Sequence, residues 1–222
     1  MFLPKGQVME TTSWDQTMFW NVYYVKGAFL NADAAFEVIQ GIRTLDVRMM
    51  RKCINTEILA RFLDAHPQIR VHCSALESSE NHTLCQQQLF LGLPAPLFTI
   101  NLDKIPKTAF QQFFDSLSPT FGHMISLGQS NTIVSCPSLT THSELDDAAL
   151  ADAGMTATTI RFSVGDEDPL DLIRHLEETA RLTIDRQIPG FCAGFLDAAA
   201  TKQLIRDCYT SAHARYIDAR LA

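Results

Sequence analysis

Arg161 is the residue whose setting points most directly to chemistry. In Thr159-Ile160-Arg161-Phe162-Ser163-Val164, the apolar Ile160, Phe162 and Val164 alternate with Thr159, Arg161 and Ser163. A strand of period two sends the apolar set into a core and turns Arg161 to the opposite, polar face. Gly165 ends the strand. Asp168-Pro169 then opens a helix, with Asp168 as N-cap, Pro169 at the first helical position and Asp171 in the first turn. A guanidinium fixed on a short strand is a carboxylate fork, because its paired N–H donors match two oxygens. The same residues also fit a plainer role, a surface arginine paired to a neighbouring acid.

Other reactive side chains are present without a supporting pattern. Cys53, Cys73, Cys85, Cys136, Cys192 and Cys208 are scattered without the C-x-x-C spacing that a zinc site or redox pair needs, and the seven histidines form no H-x-x-x-H pair. No metal is expected, and in a cytosolic chain the thiols read as reduced, packed groups. Cys136 lies near His142, so a thiol nucleophile with a histidine base is one reading. A free-standing hydrolase built on Cys136 or Ser126 would need an oxyanion loop or a nucleophile elbow, and the sequence shows neither.

The elements that must hold Arg161 follow from periodicity. From 33 to 65 the pattern is helical, with Phe36, Ile39, Ile42, Leu45, Met49, Cys53, Thr56, Leu59 and Leu63 recurring at three or four residues. Arg43, Arg48, Arg51, Lys52, Glu57 and Arg61 fall mostly on the other faces. Gly41 weakens the middle by about 1 kcal/mol relative to alanine, so a break or kink is expected near it. His66-Pro67 stops this helix. A strand at Ile69-Arg70-Val71-His72-Cys73, a short helix over 80–90, a turn at 92–96 and a strand over Leu97–Leu102 come next. Pro106 starts another helix with Phe110, Phe113 or Phe114, and Leu117 on its apolar face. Short strands near 123–126 and 132–135 follow, then a helix over 146–153 that ends at Gly154. The strand over 158–164 and a helix from Pro169, with Leu172, Ile173, Leu176, Ala180 and Ile184 as its buried stripe, close the domain. One more helix, over 198–219, places Leu204, Cys208, Ala212 and Tyr216 on one stripe. It could cover the domain or pack on a partner subunit.

The order β-α-β-α-β-β-α-β-α implies an α/β (α+β) fold: a small, mostly antiparallel sheet with helices on one side, preceded by a long helix. A hydrophobic fraction of 46% supports a globular core. The formal charge of −7, with no basic stripe to offset it, argues against a nucleic-acid partner. No apolar run is long enough to span a bilayer, since the best candidate is broken by Pro94 and Pro96. The first residues lack the charged and apolar regions of a secretory signal. A soluble cytoplasmic protein is expected. Residues 1–26 carry Trp14, Phe19, Trp20, Tyr23 and Tyr24, and an exposed aromatic cluster of this kind is an interface or an aggregation liability.

Several short segments resemble the Cys/Met-metabolism enzymes that use pyridoxal phosphate. These include cystathionine synthases and lyases, methionine γ-lyase and homoserine-ester sulfhydrylases. Ser126-Leu127-Gly128 resembles the family's S-L-G turn, Thr141-His142-Ser143 its T-H-[AS] segment, and Ile160-Arg161-Phe162-Ser163-Val164-Gly165 its I-R-L-S-V-G strand. Gly41-Ile42-Arg43-Thr44-Leu45 with Arg48-Met49 resembles the family's G-L-K-T-L…R-M helix, and Asn55, Phe62-Leu63, His66-Pro67 and His82 also fall at familiar places. The likeness runs over about 27–185.

The resemblance implies the C-terminal domain of a fold-type I enzyme. Arg161 would hold the substrate's α-carboxylate, and Ser126 and Thr141 would line the same pocket. Ile125 would stand where relatives touch the substrate's distal end. An apolar residue there, together with Thr140-Thr141-His142-Ser143-Glu144-Leu145, leans toward a γ-lyase or a sulfhydrylase. The family's S-x-T-K segment, whose lysine carries the cofactor, is not found in these 222 residues. Lys5 lacks the flanking hydroxyl residues and Lys26 lies at the wrong place. The expectation is therefore a C-terminal portion, from a truncated, split or incompletely captured gene, acting by β/γ-elimination or γ-replacement once complete. It would be inactive alone and would bind pyridoxal 5′-phosphate only in the complete enzyme. The other reading is a non-catalytic subunit or dimerisation module that keeps the fold. Expected divisions are 1–30 as a remnant of the cofactor domain, 31–186 as the C-terminal domain with its connecting helix, and 187–222 as a helical extension. Implied partners are the amino-acid substrate, the missing N-terminal half or a partner subunit, and further copies in a tetramer.

Overall fold

The computed structural model describes residues 17–27, 29–102 and 104–221; Lys5 and Trp14 lie outside them. The chain divides into two compact units, 1–46 and 47–222. In the first, a π-helix spans Met18–Tyr24, and Trp20 meets Phe19 and Tyr24 edge-on at ring separations of 5.3 and 5.1 Å. Helix α1, Ala32–Arg43, starts where Asn31 Oδ1 accepts the Ala34 N–H at 2.8 Å, an ordinary N-cap. Phe36, Ile39 and Ile42, the first half of the expected apolar stripe, are exposed.

The helical run does break, three residues beyond Gly41. Thr44 leaves helical geometry (φ −109°, ψ 4°), and its hydroxyl reaches back to the carbonyls of Gln40 and Gly41 at 3.5 and 3.4 Å. Such back-bonding competes with the helical ladder. Helix α2, Leu45–Asp64, continues from there. Its second half is buried nearly all round, from Lys52 and Ile54 through Ala60 to Leu63, in place of the one-sided stripe the period suggested. Lys52, 1% exposed, and Glu57 are inside, whereas local spacing placed them on outward faces. The cause is tertiary: strand, turn and C-terminal segments close over this half of the helix from several sides.

The remaining elements alternate as their sequence implies. Strand β1, Ile69–His72, is followed by helix α3, His82–Gln88, and strand β2, Leu97–Leu102. Helix α4, Lys107–Ser116, precedes the short strands β3, Gly122–His123, and β4, Ile133–Ser135. Helix α5, Asp147–Asp152, leads to strand β5, Thr159–Ser163, and then to helices α6, Pro169–Leu182, and α7, Ile184–Gln187. Helix α8, Ala198–Leu221, ends the described chain. The sheet order is β1-β2-β5-β4-β3, antiparallel throughout except for the parallel pair β3–β4.

Register sorts the faces. Val71 stands opposite Ile100, which faces Ile160, and Phe98 faces Phe162, which faces Val134. These residues join the core formed with Ile58, Phe62, Phe110, Phe113, Leu172 and Leu176 from the helices, so the helices cover this one face. The C-terminal helix covers its own domain. Cys208 and Ala212 are buried, Tyr209 donates to Asn55 Oδ1 at 3.2 Å, and Arg215 donates to the Leu91 carbonyl at 2.7 Å while lying 3.6 Å from Glu57.

Candidate functional site

The other face of the sheet is polar, and Arg161 stands near its middle. Thr99 on β2 and Ser135 on β4 are its direct cross-strand neighbours, a relationship that puts Cβ atoms about 4.5–5.5 Å apart. The guanidinium is therefore flanked by two hydroxyl residues on rigid strands. Thr99 could be assigned to the polar face from the alternation of Leu97–Leu102. Its pairing with Arg161 depends on register, which no local pattern specifies.

Arg161 is half-buried and sparsely partnered. Its Nη2 donates to the Ser126 carbonyl at 3.3 Å, while its Nε is buried without a hydrogen-bond partner. Arg161 takes part in no ion pair among the described residues, so the expected alternative of a surface arginine paired to a neighbouring acid does not describe it. An arginine carries five N–H donors. One is engaged here, and a buried donor left unpaired costs about 1–3 kcal/mol. Two carboxylate oxygens match the paired donors of such a fork.

The turn that presents Ser126 is held by long-range bonds. Gly128 adopts φ +79°, a conformation that suits glycine, and its N–H donates to Ser163 Oγ at 3.3 Å. Lys52 Nζ donates to the carbonyls of Gly128 and Gln129 at 3.0 and 2.7 Å. Beyond Arg161, the strand exit is equally fixed. Asn55 Nδ2 donates to the carbonyls of Gly165 and Glu167 at 3.2 and 2.9 Å. The Glu167 carboxylate accepts from the Thr132 N–H and, at 2.9 Å, from the Thr132 hydroxyl, which itself accepts the Gly165 N–H at 3.0 Å. A Cβ on Gly165 would lie 2.2 Å from the Ser130 carbonyl oxygen, so only glycine permits this approach. Lys52 and Glu167 had no local signal, because their partners lie far away in sequence.

The other candidates are placed as follows. Ile125 is exposed beside Ser126. Thr141 is exposed, and its hydroxyl pairs with His142 Nδ1 at 2.8 Å; no hydrogen bond links Thr141 or Ile125 to Arg161 among the described residues. Cys136 is fully buried, with Sγ against Ser138 Oγ at 3.2 Å, and burial pushes its thiol pKa up. It is therefore neither activated nor paired with His142, which overturns the thiol-nucleophile reading. All six cysteines are free, and no group of three or more metal-ligating side chains occurs among the described residues. No helix among the described residues is long and apolar enough to cross a membrane.

Comparison with known proteins shows what the chain is similar to. A family model described as Cys/Met metabolism PLP-dependent enzyme matches residues 5–180. The chain is 32% identical over 156 residues to an L-methionine gamma-lyase from Pseudomonas putida, a match covering 70% of this chain and 38% of that protein. It is 34% identical over 152 residues to an O-acetyl-L-homoserine sulfhydrylase from Corynebacterium glutamicum, covering 68% of this chain and 34% of the relative. A cystathionine gamma synthase from Xanthomonas oryzae pv. oryzae, solved in complex with cystathionine, superposes with a TM-score of 0.61 at 26% identity, over 78% of this chain and 44% of that one. The matched stretch thus covers less than half the length of each of these relatives.

Proposed function

Because this chain belongs to the Cys/Met-metabolism PLP-dependent enzyme family, we propose that it supplies the α-carboxylate site of a trans-sulfuration enzyme. The substrate is a sulfur amino acid or an activated homoserine, undergoing β/γ-elimination or γ-replacement. The observation that carries this reading is the Arg161 guanidinium, aimed by the Ser126 carbonyl and left with a buried, unpartnered Nε. A carboxylate arriving there accepts charge-assisted hydrogen bonds, which are shorter and stronger than neutral ones. Anchoring that end of an amino acid fixes its Cα and so the direction of its α C–H bond, which lowers the entropic part of the barrier to proton removal. Thr99 and Ser135 border the anchor, and Ser126, Thr141 and the exposed, apolar Ile125 belong to the same proposed substrate surface. An apolar residue at 125 favours a thioether or ester side chain over a second carboxylate.

The described residues do not by themselves fit the cofactor. Lys26, Lys104, Lys107 and Lys202 are exposed, and the one buried amine, Lys52, is committed to two backbone carbonyls. No step of cofactor chemistry is assigned to them, and we place pyridoxal phosphate and its lysine on polypeptide outside the described residues. One observation favours the second reading, a subunit or dimerisation partner. In the 1–46 unit Phe19, Trp20, Phe36 and Ile42 leave apolar surface exposed, which suits contact with another polypeptide.

The test is to combine this chain with a lysine-bearing N-terminal half and measure substrate affinity. Arg161→Ala should weaken it about 10- to 150-fold, the equivalent of a charged hydrogen bond worth about 1.5–3 kcal/mol. An assembled enzyme whose affinity ignores this substitution rules the assignment out. Failure of any lysine-bearing half to restore cofactor absorbance favours the non-catalytic subunit.

A further inference from the structure

Lys52 is an unusual expenditure for a small domain. It is 1% exposed, and its ammonium group donates to the carbonyl oxygens of Gly128 and Gln129, with no carboxylate bonded to it among the described residues. Burying a cation is costly unless hydrogen bonds replace its water. A methionine or leucine would fill this space with less penalty, so packing alone does not account for a lysine here.

What the two bonds achieve is geometric. Gly128 and Gln129 belong to the turn whose first residue, Ser126, offers the acceptor for Arg161 Nη2. Ser163, two residues beyond Arg161 on the same face of β5, holds the Gly128 N–H. Asn55, one turn along α2 from Lys52, holds the carbonyls of Gly165 and Glu167 just after β5. One rigid helix therefore grips both the turn that steers the guanidinium and the end of the strand that carries it.

We propose that Lys52 is a positioning residue for the Arg161 carboxylate site: its two carbonyl bonds lock the 126–129 turn, so that the Ser126 carbonyl holds one edge of the guanidinium and leaves the other donors free for the ligand. This rests on the reading of Arg161 given above. Lys52 acts through the turn and does not touch the substrate. An ammonium suits the task because it presents three donors that converge on closely spaced carbonyls, where a neutral amide offers two in one plane.

The experiment uses this chain, labelled with ¹⁵N-arginine, and follows the Arg161 Nε–H signal, identified by its disappearance in Arg161→Lys. In the unmodified chain that proton should exchange slowly with solvent. In Lys52→Met its exchange should accelerate at least tenfold, while the backbone amides of Ile160 and Phe162 keep their protection and show that β5 is intact. Lys52→Gln, which restores two donors without charge, should recover part of the loss. If Lys52→Met does not fold, Lys52→Gln and Ser163→Ala decide the matter, since each loosens the same turn; both should speed Arg161 exchange. Unchanged Arg161 exchange in the folded variants overturns the proposal. Titration with L-methionine separates the two claims. If the Arg161 signal of the unmodified chain does not move, the carboxylate reading fails, whereas the exchange comparison still judges whether Lys52 positions the guanidinium.

Discussion

At Lys52 and Asn55, helix α2 meets the rest of the domain through backbone carbonyls. Further along, Phe62 near the C-terminal end of the same helix and His66 just beyond it meet the segment after α7 through aromatic ring contacts. Phe62 lies parallel to Phe195 with centroids 5.3 Å apart, and His66 sits 4.2 Å from Phe191 and 4.7 Å from Phe195. The first region is directional: each hydrogen bond fixes an angle as well as a distance. The second is mainly a matter of apolar burial, which stabilises without aiming anything. Hydrogen bonds dominate around the guanidinium, whereas ring packing dominates at the closing end, where His66 Nε2 adds a bond to the Phe191 carbonyl at 2.8 Å.

The largest effect expected from this contrast is in the aromatic region. Phe62→Ala removes a fully buried ring and should cost about 3–5 kcal/mol in urea denaturation, while the Arg161 Nε–H of the folded population keeps its slow exchange. Acceleration of that exchange would erase the distinction. Asn55→Ala comes next. It leaves the Gly165 and Glu167 carbonyls and the Tyr209 hydroxyl short of a partner, so a loss of about 2–3 kcal/mol is expected. Here, unlike Phe62→Ala, Arg161 exchange should change as well. Tyr209→Phe deletes a single bond to Asn55 and should cost about 1 kcal/mol, with denaturation midpoints as the readout.

The mildest change should come with acid. His66 is buried, its Nδ1 accepts the Gln68 N–H at 3.1 Å, and Nε2 therefore carries the proton donated to the Phe191 carbonyl at 2.8 Å. Burial holds its pKa below the ordinary 6.5, although the Phe191 bond opposes the shift. The unfolded chain then binds the proton more readily than the folded one. The stability His66 contributes is complete above its ordinary pKa and declines as the pH falls below it. Melting temperatures at pH 7.5 and 5.5 should show this decline in the unmodified chain and a smaller one in His66→Gln. Equal declines would mean that other groups set the acid sensitivity.

Much of the sheet was legible because its strands are half-buried. Alternation in Leu97–Leu102 and around Arg161 identified both strands and the polar face, and the order of elements implied a mostly antiparallel sheet with helices on one side. Helix α2 was harder to read. A period of three or four reports a one-sided stripe, and a helix enclosed on several sides has none, so Lys52 and Glu57 looked like surface charges. The break at Thr44 depends on a hydroxyl bonding backward, where composition pointed to Gly41. Within the candidate site, Arg161 was singled out from its own strand and Ser126 from the family resemblance, and the structure joins the two by a hydrogen bond. Thr99 and Ser135 required register, and Lys52 required contacts across more than seventy residues, information that no short window contains.

The buried and half-buried thiols give the chain a practical property. Burial pushes Cys53, Cys73 and Cys192 up to about 11 and Cys208 up to about 12. At mildly alkaline pH only about one in a thousand of a group near 11 is thiolate, the species that attacks maleimides and iodoacetamides. A substitution such as Ile125→Cys, at a side chain 60% exposed, would therefore outpace them in labelling. A fluorophore attached there would sit beside Ser126 and report motion of the 126–129 turn.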